Sequence, residues 1–217
     1  MGNERHTAHR HAITAALIDS AQRRQQKGSV LESRINTADH PAQLAEQPVQ
    51  HQPASRRVLF VCMGNICRSP MAEAVFRWLA PRLRPDVVVE ADSAGTHGYH
   101  VGRAPDERAQ RVARAHGIDL SGLRARQLVA QDFDHFDRIL VMDRHNYDSA
   151  LALAPPERRH RLQLLLDYAP QLALREVPDP YYGELPDFER VFQLSEQAAR
   201  GLLQSLAAPA QFEHRAG

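Results

Sequence analysis

Cys62 and Arg68 are separated by five residues, Met63-Gly64-Asn65-Ile66-Cys67, and followed at once by Ser69 and Pro70. A phosphate monoester needs donors for its non-bridging oxygens and a nucleophile beneath phosphorus. A loop of this length curls around one dianion, with its backbone N–H groups turned inward as an anion nest. A helix starting at Ser69 adds its positive end to the same hollow, and Arg68 supplies a planar fork that matches two phosphate oxygens. The same donors stabilise a thiolate. Free cysteine has a pKa of roughly 8.5, and helix N-termini and nearby cations lower it by several units, so Cys62 is expected to be substantially ionised at neutral pH. Ser69 is placed to hydrogen-bond that sulfur and help it leave. Asn65 tolerates left-handed backbone and bonds neighbouring backbone groups, which suits it to locking the loop. A cysteine and an arginine six apart also occur as a small apolar residue and an ordinary loop, so the flanking elements have to decide.

Those elements read as a strand before and a helix after. Val58-Leu59-Phe60-Val61 is a short unbroken apolar run, as in a buried parallel strand. Ser69 as cap and Pro70 at the first helical position open a helix through Met71, Ala74, Val75 and Trp78. Val87-Val88-Val89 predicts a second strand ending at Asp92-Ser93-Ala94-Gly95, and residues 106–115 a helix closed by Gly117. A third strand is expected over 138–142, a helix from about His145, a fourth strand over 162–166, and a last helix over about 188–206 with Val191, Phe192, Leu202 and Leu206 on its apolar face. The alternation predicts an α/β, three-layer fold: a short four-stranded parallel sheet flanked by helices on both faces. Ligands of such sheets sit at the carboxyl ends of strands, and the Cys62 loop lies at one.

A poor leaving group must be protonated as it departs. Asp179-Pro180-Tyr181-Tyr182-Gly183 offers a carboxylate on a segment that the proline restricts to extended or turn conformations; an ordinary Asp-Pro turn is the alternative. The string from Cys62 to Ser69, with its strand and capped helix, closely resembles the active-site loop of the low-molecular-weight protein tyrosine phosphatase family, and the resemblance covers roughly residues 57–206. It implies hydrolysis of protein phosphotyrosine through a phosphocysteine intermediate, without cofactor or metal. Cys62 is then the nucleophile, Arg68 the phosphate clamp and Asp179 the general acid, with Met63, Gly64, Asn65, Ile66, Cys67 and Ser69 around the phosphate. By the same match Ser93 bonds Asn65, Tyr181 and Tyr182 form one cleft wall, and Tyr99 stands on the other unless it merely covers apolar surface. Cys67 is either a small core residue or, as in the family, a redox partner that protects Cys62 through a reversible disulfide. Leu123, within Gly122-Leu123-Arg124-Ala125-Arg126-Gln127, replaces a histidine common in the family. That change is expected to loosen the loop or leave a polar group to water, with an effect on rate but not on reaction type.

The rest of the chain narrows the function classes. Its 217 residues suit one domain and an extension. Residues 1–55, rich in Gln, His, Ala and Arg and interrupted by Pro41, Pro48 and Pro53, read as a disordered extension with one short helix over 12–18. They are a dispensable tail, a docking or targeting segment, or the result of an early start codon; the phosphatase domain is expected over 56–210. A net charge of +1 with Lys27 the only lysine gives no reason to invoke nucleic acid. Two cysteines are too few for a stapled secreted fold, so a reducing, cytoplasmic setting is expected. No apolar run is long enough for membrane insertion, no secretion signal is seen, and His6 stands where myristoylation wants Ser or Thr. The expected partner is a phosphotyrosine-containing protein, with a tyrosine autokinase and exopolysaccharide control as family expectations, and the expected state is a monomer or weak dimer. Three rivals are weighed. An arsenate reductase needs a further thiol, and no cysteine follows Cys67. A phosphoarginine phosphatase tends to carry Thr where this chain has Ile66. A catalytically idle phosphotyrosine-binding module has no need of intact Cys62, Arg68 and Asp179.

Overall fold

The computed structural model describes residues 56–206. The expected extension over 1–55, its short helix over 12–18 and the last residues of the expected domain lie outside the described residues. Four strands, β1 (Arg56–Cys62), β2 (Val89–Gly95), β3 (Arg138–Val141) and β4 (Leu162–Leu164), form one sheet in the order β2-β1-β3-β4, and every pairing is parallel. Among the described residues the helices are α1 (Arg68–Leu83), α2 (Glu107–Ala115), α3 (Asp132–His135), α4 (Arg144–Leu153) and α5 (Leu185–Ser205).

Side-chain alternation along buried strands explains the layers. Val58, Phe60 and Cys62 of β1 enter one apolar cluster with α1, α2 and α5, while Leu59 and Val61 enter another with α3 and α4. Ile139 and Val141 join the second cluster and Leu140 the first. Both faces of β1 and β3 are therefore dry, and such strands read as unbroken apolar runs. Phe60 and Phe76 of α1 meet at 5.6 Å between ring centres. Fully burying a side chain of this size contributes roughly 1.5–3 kcal/mol.

After β2 the chain crosses to the other side of β1 to lay down β3. The crevice of such a sheet opens outside the carboxyl ends at that reversal, and Cys62 is the last residue of β1.

Several boundaries differ from the sequence reading. The second strand begins at Val89, with Val88 55% exposed, because β2 is an edge strand whose ladder starts where Val89 meets Arg56. α1 begins at Arg68 with Cys67 in the cap position and no side-chain cap, so Ser69 lies inside the helix and its hydroxyl is free for other partners. β4 is only three residues long and turns into a 3-10 segment at Leu165, whose side chain packs on the opposite cluster. The four-residue α3 has no apolar period to announce it. Gly117 has φ of +77°, as a helix-closing glycine requires.

Candidate active site

The loop after β1 is anchored before it turns. The carbonyls of Cys62 and Met63 accept from the amides of Thr96 (2.8 Å) and His97 (2.9 Å) just beyond β2. Gly95 permits this approach, since a Cβ there would stand 2.7 Å from the Met63 carbonyl oxygen. Asn65 takes the left-handed conformation, φ 56°, and its amide N–H points at Cys62 Sγ at 3.3 Å. Its side chain is saturated: Nδ2 donates to Ser69 Oγ and Ser93 Oγ, both at 2.9 Å, and Oδ1 accepts from the Arg126 amide at 2.9 Å.

Ser69 Oγ lies 3.1 Å from Cys62 Sγ and 3.3 Å from the Ala94 carbonyl. Its oxygen already accepts from Asn65, so its one proton goes to the sulfur or to that carbonyl, and a thiolate can only accept it.

Behind the loop Ser93 Oγ donates to Glu73 Oε2 at 2.7 Å, and Glu73 Oε1 lies 3.2 Å from Arg77 Nη1. Glu73 is 1% exposed, and burial raises its carboxyl pKa against the opposing pull of Ser93 and Arg77. Leu123 packs against the main apolar cluster. No polar group of the Asn65–Ser93 pair is left to water: Ser93 Oγ accepts from Asn65 Nδ2 and donates to Glu73, and Asn65 Oδ1 accepts from the Arg126 amide.

Arg68 is 2% exposed. Its Nη1 donates to Asp143 Oδ2 at 2.5 Å and to the Val177 carbonyl at 3.2 Å, and its Nη2 to Asp179 Oδ2 at 2.8 Å. Burial works against the charge, but Cys62, Asp179 and Asp143 outweigh it and hold the guanidinium pKa above its ordinary value. Its Nε is buried without a partner among the described residues, a donor left over for an anion.

These groups border a cavity of about 520 Å³ lined by Cys62, Met63, Gly64, Ile66, Cys67, Arg68, Tyr99, His100, Asp179, Tyr181 and Tyr182. Asn65, Ser69 and Ser93 stand behind its floor, so the residues singled out in the sequence gather in one place. Tyr99 and Tyr182 are 74% and 97% exposed and form the mouth, and Tyr182 meets Tyr181 edge-on at 4.9 Å. Asp179 Oδ1 accepts from the Tyr181 amide at 3.2 Å, which turns the carboxylate toward Arg68. Cys67 is buried, and burial first, then the neighbouring Cys62, push its thiol pKa well up and keep it protonated.

The sequence reading missed Asp143, Glu73, the Arg126 amide and His100. Asp143 carried a signal: it follows β3 at a strand's carboxyl end and caps α4, accepting from the Asn146 amide at 2.7 Å. The others act across long chain separations and leave no local pattern. Among the described residues no group of His, Cys, Asp and Glu is arranged to hold a metal, and no helix is long and apolar enough to cross a membrane.

The family model of the low molecular weight phosphotyrosine protein phosphatase matches residues 57–211. Low molecular weight protein-tyrosine-phosphatase YfkJ of Bacillus subtilis is 46% identical over 149 residues, which is 69% of this chain and 94% of that protein. A crystal structure of a protein tyrosine phosphatase from Entamoeba histolytica, with Hepes in its active site, superposes with a TM-score of 0.67 at 37% identity, covering 70% of this chain and 96% of that one. Vibrio vulnificus Wzb in complex with benzylphosphonate superposes with a TM-score of 0.61 at 30% identity, covering 69% and 98%.

Proposed function

Because this chain belongs to the low molecular weight phosphotyrosine protein phosphatase family, we propose that it hydrolyses protein phosphotyrosine by double displacement at Cys62. The sulfur lone pair forms the S–P bond as the P–O bond to the phenol breaks, and Asp179 gives its proton to the departing oxygen. The loop amides and Arg68 carry the charge on the equatorial oxygens. A bound dianion competes with Asp179 for Arg68 Nη2, which frees the carboxyl to turn toward the leaving group. Water then attacks phosphorus, Asp179 takes its proton, and the S–P electron pair returns to sulfur with Ser69 donating to it.

One observation supports this reading above the rest. Cys62 Sγ receives the Asn65 N–H at 3.3 Å and faces Ser69 Oγ at 3.1 Å on the floor of a cleft whose rim carries Tyr99, Tyr181 and Tyr182. The direct test is turnover of p-nitrophenyl phosphate and phosphotyrosyl peptides by Cys62→Ser and Asp179→Asn proteins. Cys62→Ser is expected to be inactive, and Asp179→Asn to lose most on the peptides. Full activity in Cys62→Ser rejects the assignment.

The slot between tyrosines, with Ile66 on its wall, favours an aryl phosphate over a guanidinium-linked one. Wzb of Vibrio vulnificus is seen with benzylphosphonate, an aryl-bearing anion that this cleft also suits. Within this proposal the substrate is a phosphotyrosine protein, with a tyrosine autokinase of an exopolysaccharide system as candidate. The domain spans 56–210 and acts in a reducing cytoplasm as a monomer or weak dimer. Cys67, one loop away from Cys62, serves as the resolving thiol when an oxidant converts Cys62 to the sulfenic acid: its sulfur displaces water to give the disulfide.

A further inference from the structure

We propose that Arg108, outside the catalytic cleft, sets the position of Asp179 by bracing the acid loop against the phosphate loop. This rests on the reading of Asp179 as general acid.

The brace runs through four links. The Asp106 amide donates to the Ile66 carbonyl at 2.8 Å, which ties the N-cap of α2 to the phosphate loop. The Asp106 carboxylate then grips Arg108: Oδ1 accepts from the Arg108 amide (2.8 Å) and Nε (3.0 Å), and Oδ2 accepts from Nη2 (2.8 Å). The outer edge of the guanidinium donates to the acid loop, Nη1 to the Gly183 carbonyl at 2.8 Å and Nη2 to the Tyr181 carbonyl at 3.0 Å. Its flat face lies 4.5 Å over the ring of Phe188, which is fully buried in the first turn of α5.

Apart from the Arg68–Asp179 ion pair at 2.8 Å, the acid loop has little else to hold it. Residues 179–184 belong to no strand or helix. The segment is pinned upstream, where the Val177 amide donates to the Met142 carbonyl at 2.8 Å, and downstream, where the Glu184 amide donates to Asp187 Oδ2 at 2.8 Å. Between these pins the loop's own links are the Asp179–Tyr181 bond and a turn from the Gly183 amide to the Pro180 carbonyl at 2.9 Å. Neither relates the loop to Cys62. Arg68 reaches Asp179 directly at 2.8 Å, but that donor is the one a bound dianion competes for; Arg108 holds the loop independently of it, because Asp106, from which it hangs, is bonded to the phosphate loop.

Only a fork can do this: one planar group must meet a carboxylate on one edge and two carbonyls on the other. The Arg108 hydrogen bonds hold the Asp106 carboxyl pKa below its ordinary value, which favours the charged form that grips the fork.

Arg108 touches no substrate and is a positioning residue. Its loss leaves the nucleophile and clamp in place but lets the acid drift, and a misplacement of about 1 Å costs on the order of 10²-fold. The burden falls on substrates that need the proton. The experiment measures kcat/KM of wild type, Arg108→Ala, Arg108→Lys and Asp179→Asn across aryl phosphates, from p-nitrophenyl phosphate to phenyl phosphate and phosphotyrosine.

Arg108→Ala is expected to lower kcat/KM on phenyl phosphate by about 10- to 100-fold, a part of the roughly 10²- to 10⁴-fold that a general acid contributes, and to lower p-nitrophenyl phosphate turnover far less. Lysine, without the fork, does not rescue. Placed on Asp179→Asn, Arg108→Ala adds no further loss on phenyl phosphate, the non-additivity of two residues acting through one group. Inhibition by inorganic phosphate stays that of the wild type.

If Arg108→Ala is too unstable to assay, Asp106→Asn weakens the same grip and is expected to steepen the leaving-group dependence in the same direction. An equal loss on all substrates, or full additivity with Asp179→Asn, overturns the brace. Should Asp179→Asn keep the wild-type leaving-group dependence, the acid assignment itself falls. Should it steepen that dependence while neither Arg108 nor Asp106 variants do, the brace alone falls.

Discussion

At Arg68 three demands meet in one side chain. It must stay charged while 2% exposed, span two carboxylates, and keep a donor for the incoming anion. A guanidinium does all three because its donors lie in one plane at fixed angles, whereas an ammonium is a single strongly hydrated point. Arg68→Lys therefore keeps the charge and loses the geometry. Its kcat/KM on p-nitrophenyl phosphate is expected to fall on the order of 10²- to 10³-fold, as when one oriented donor to a transition-state oxygen is removed. A loss confined to KM would instead mean that Arg68 only gathers the ground-state anion, and steady-state kinetics separates the two. Asp143 fixes the fork's orientation, because it holds Nη1 from the far side at 2.5 Å and leaves Nη2 and Nε toward the cleft.

At the scale of elements, the site is the seam where α1 leaves β1 and the end of β2 passes beside it. Glu73, one turn into α1, reaches across to Ser93 of β2, so a buried carboxyl fastens helix to strand. Burial raises its folded pKa above the ordinary 4.5. A carboxyl that binds its proton more tightly in the fold stabilises the native state fully below its unfolded pKa, and that contribution is lost as pH rises through the folded value. Each pKa unit is worth about 1.4 kcal/mol, and a domain of this size moves about 2–4 °C in Tm per kcal/mol. Glu73→Gln removes the titration, so between pH 4.5 and 8 the wild-type Tm is expected to drop further than that of the variant. Melting curves that shift in parallel over this range would rule the carboxyl out as the cause. Elements also mark where the sequence was legible. β1 and β3, buried on both faces, announce themselves as apolar runs, and the helix after Cys62 by its apolar spacing. β2 misleads because Val87 and Val88 precede the ladder, while Glu90 and Asp92 within it pair sideways with His135 and Arg126. The true strand thus looks more polar than its approach.

Over the whole molecule, the legible and illegible parts divide by chain distance. The cysteine, arginine, asparagine and serine of the loop stand within eight residues and announce their chemistry by spacing alone. The groups that aim them, Glu73 through Ser93, Asp143 on Arg68 and the Arg126 amide on Asn65, come together only once the sheet is assembled; the last spans 61 positions. Each of these bonds begins and ends within residues 56–206, and the family match spans 57–211. B. subtilis YfkJ is covered over 94% of its length by 69% of this chain, so a chain without a counterpart to most of residues 1–55 makes up a whole relative. A protein comprising residues 56–217 is therefore expected to turn over p-nitrophenyl phosphate like the full chain. Changes remote from a site stay within about 0.5 kcal/mol, roughly twofold in kcat/KM. The comparison needs both forms at matched concentration, with kcat/KM for p-nitrophenyl phosphate and for a phosphotyrosyl peptide measured side by side. A tenfold loss on both substrates would place part of the leading segment in the chemistry. A loss on the peptide alone would make that segment a substrate-docking element and leave the reaction proposed for Cys62, Arg68 and Asp179 untouched.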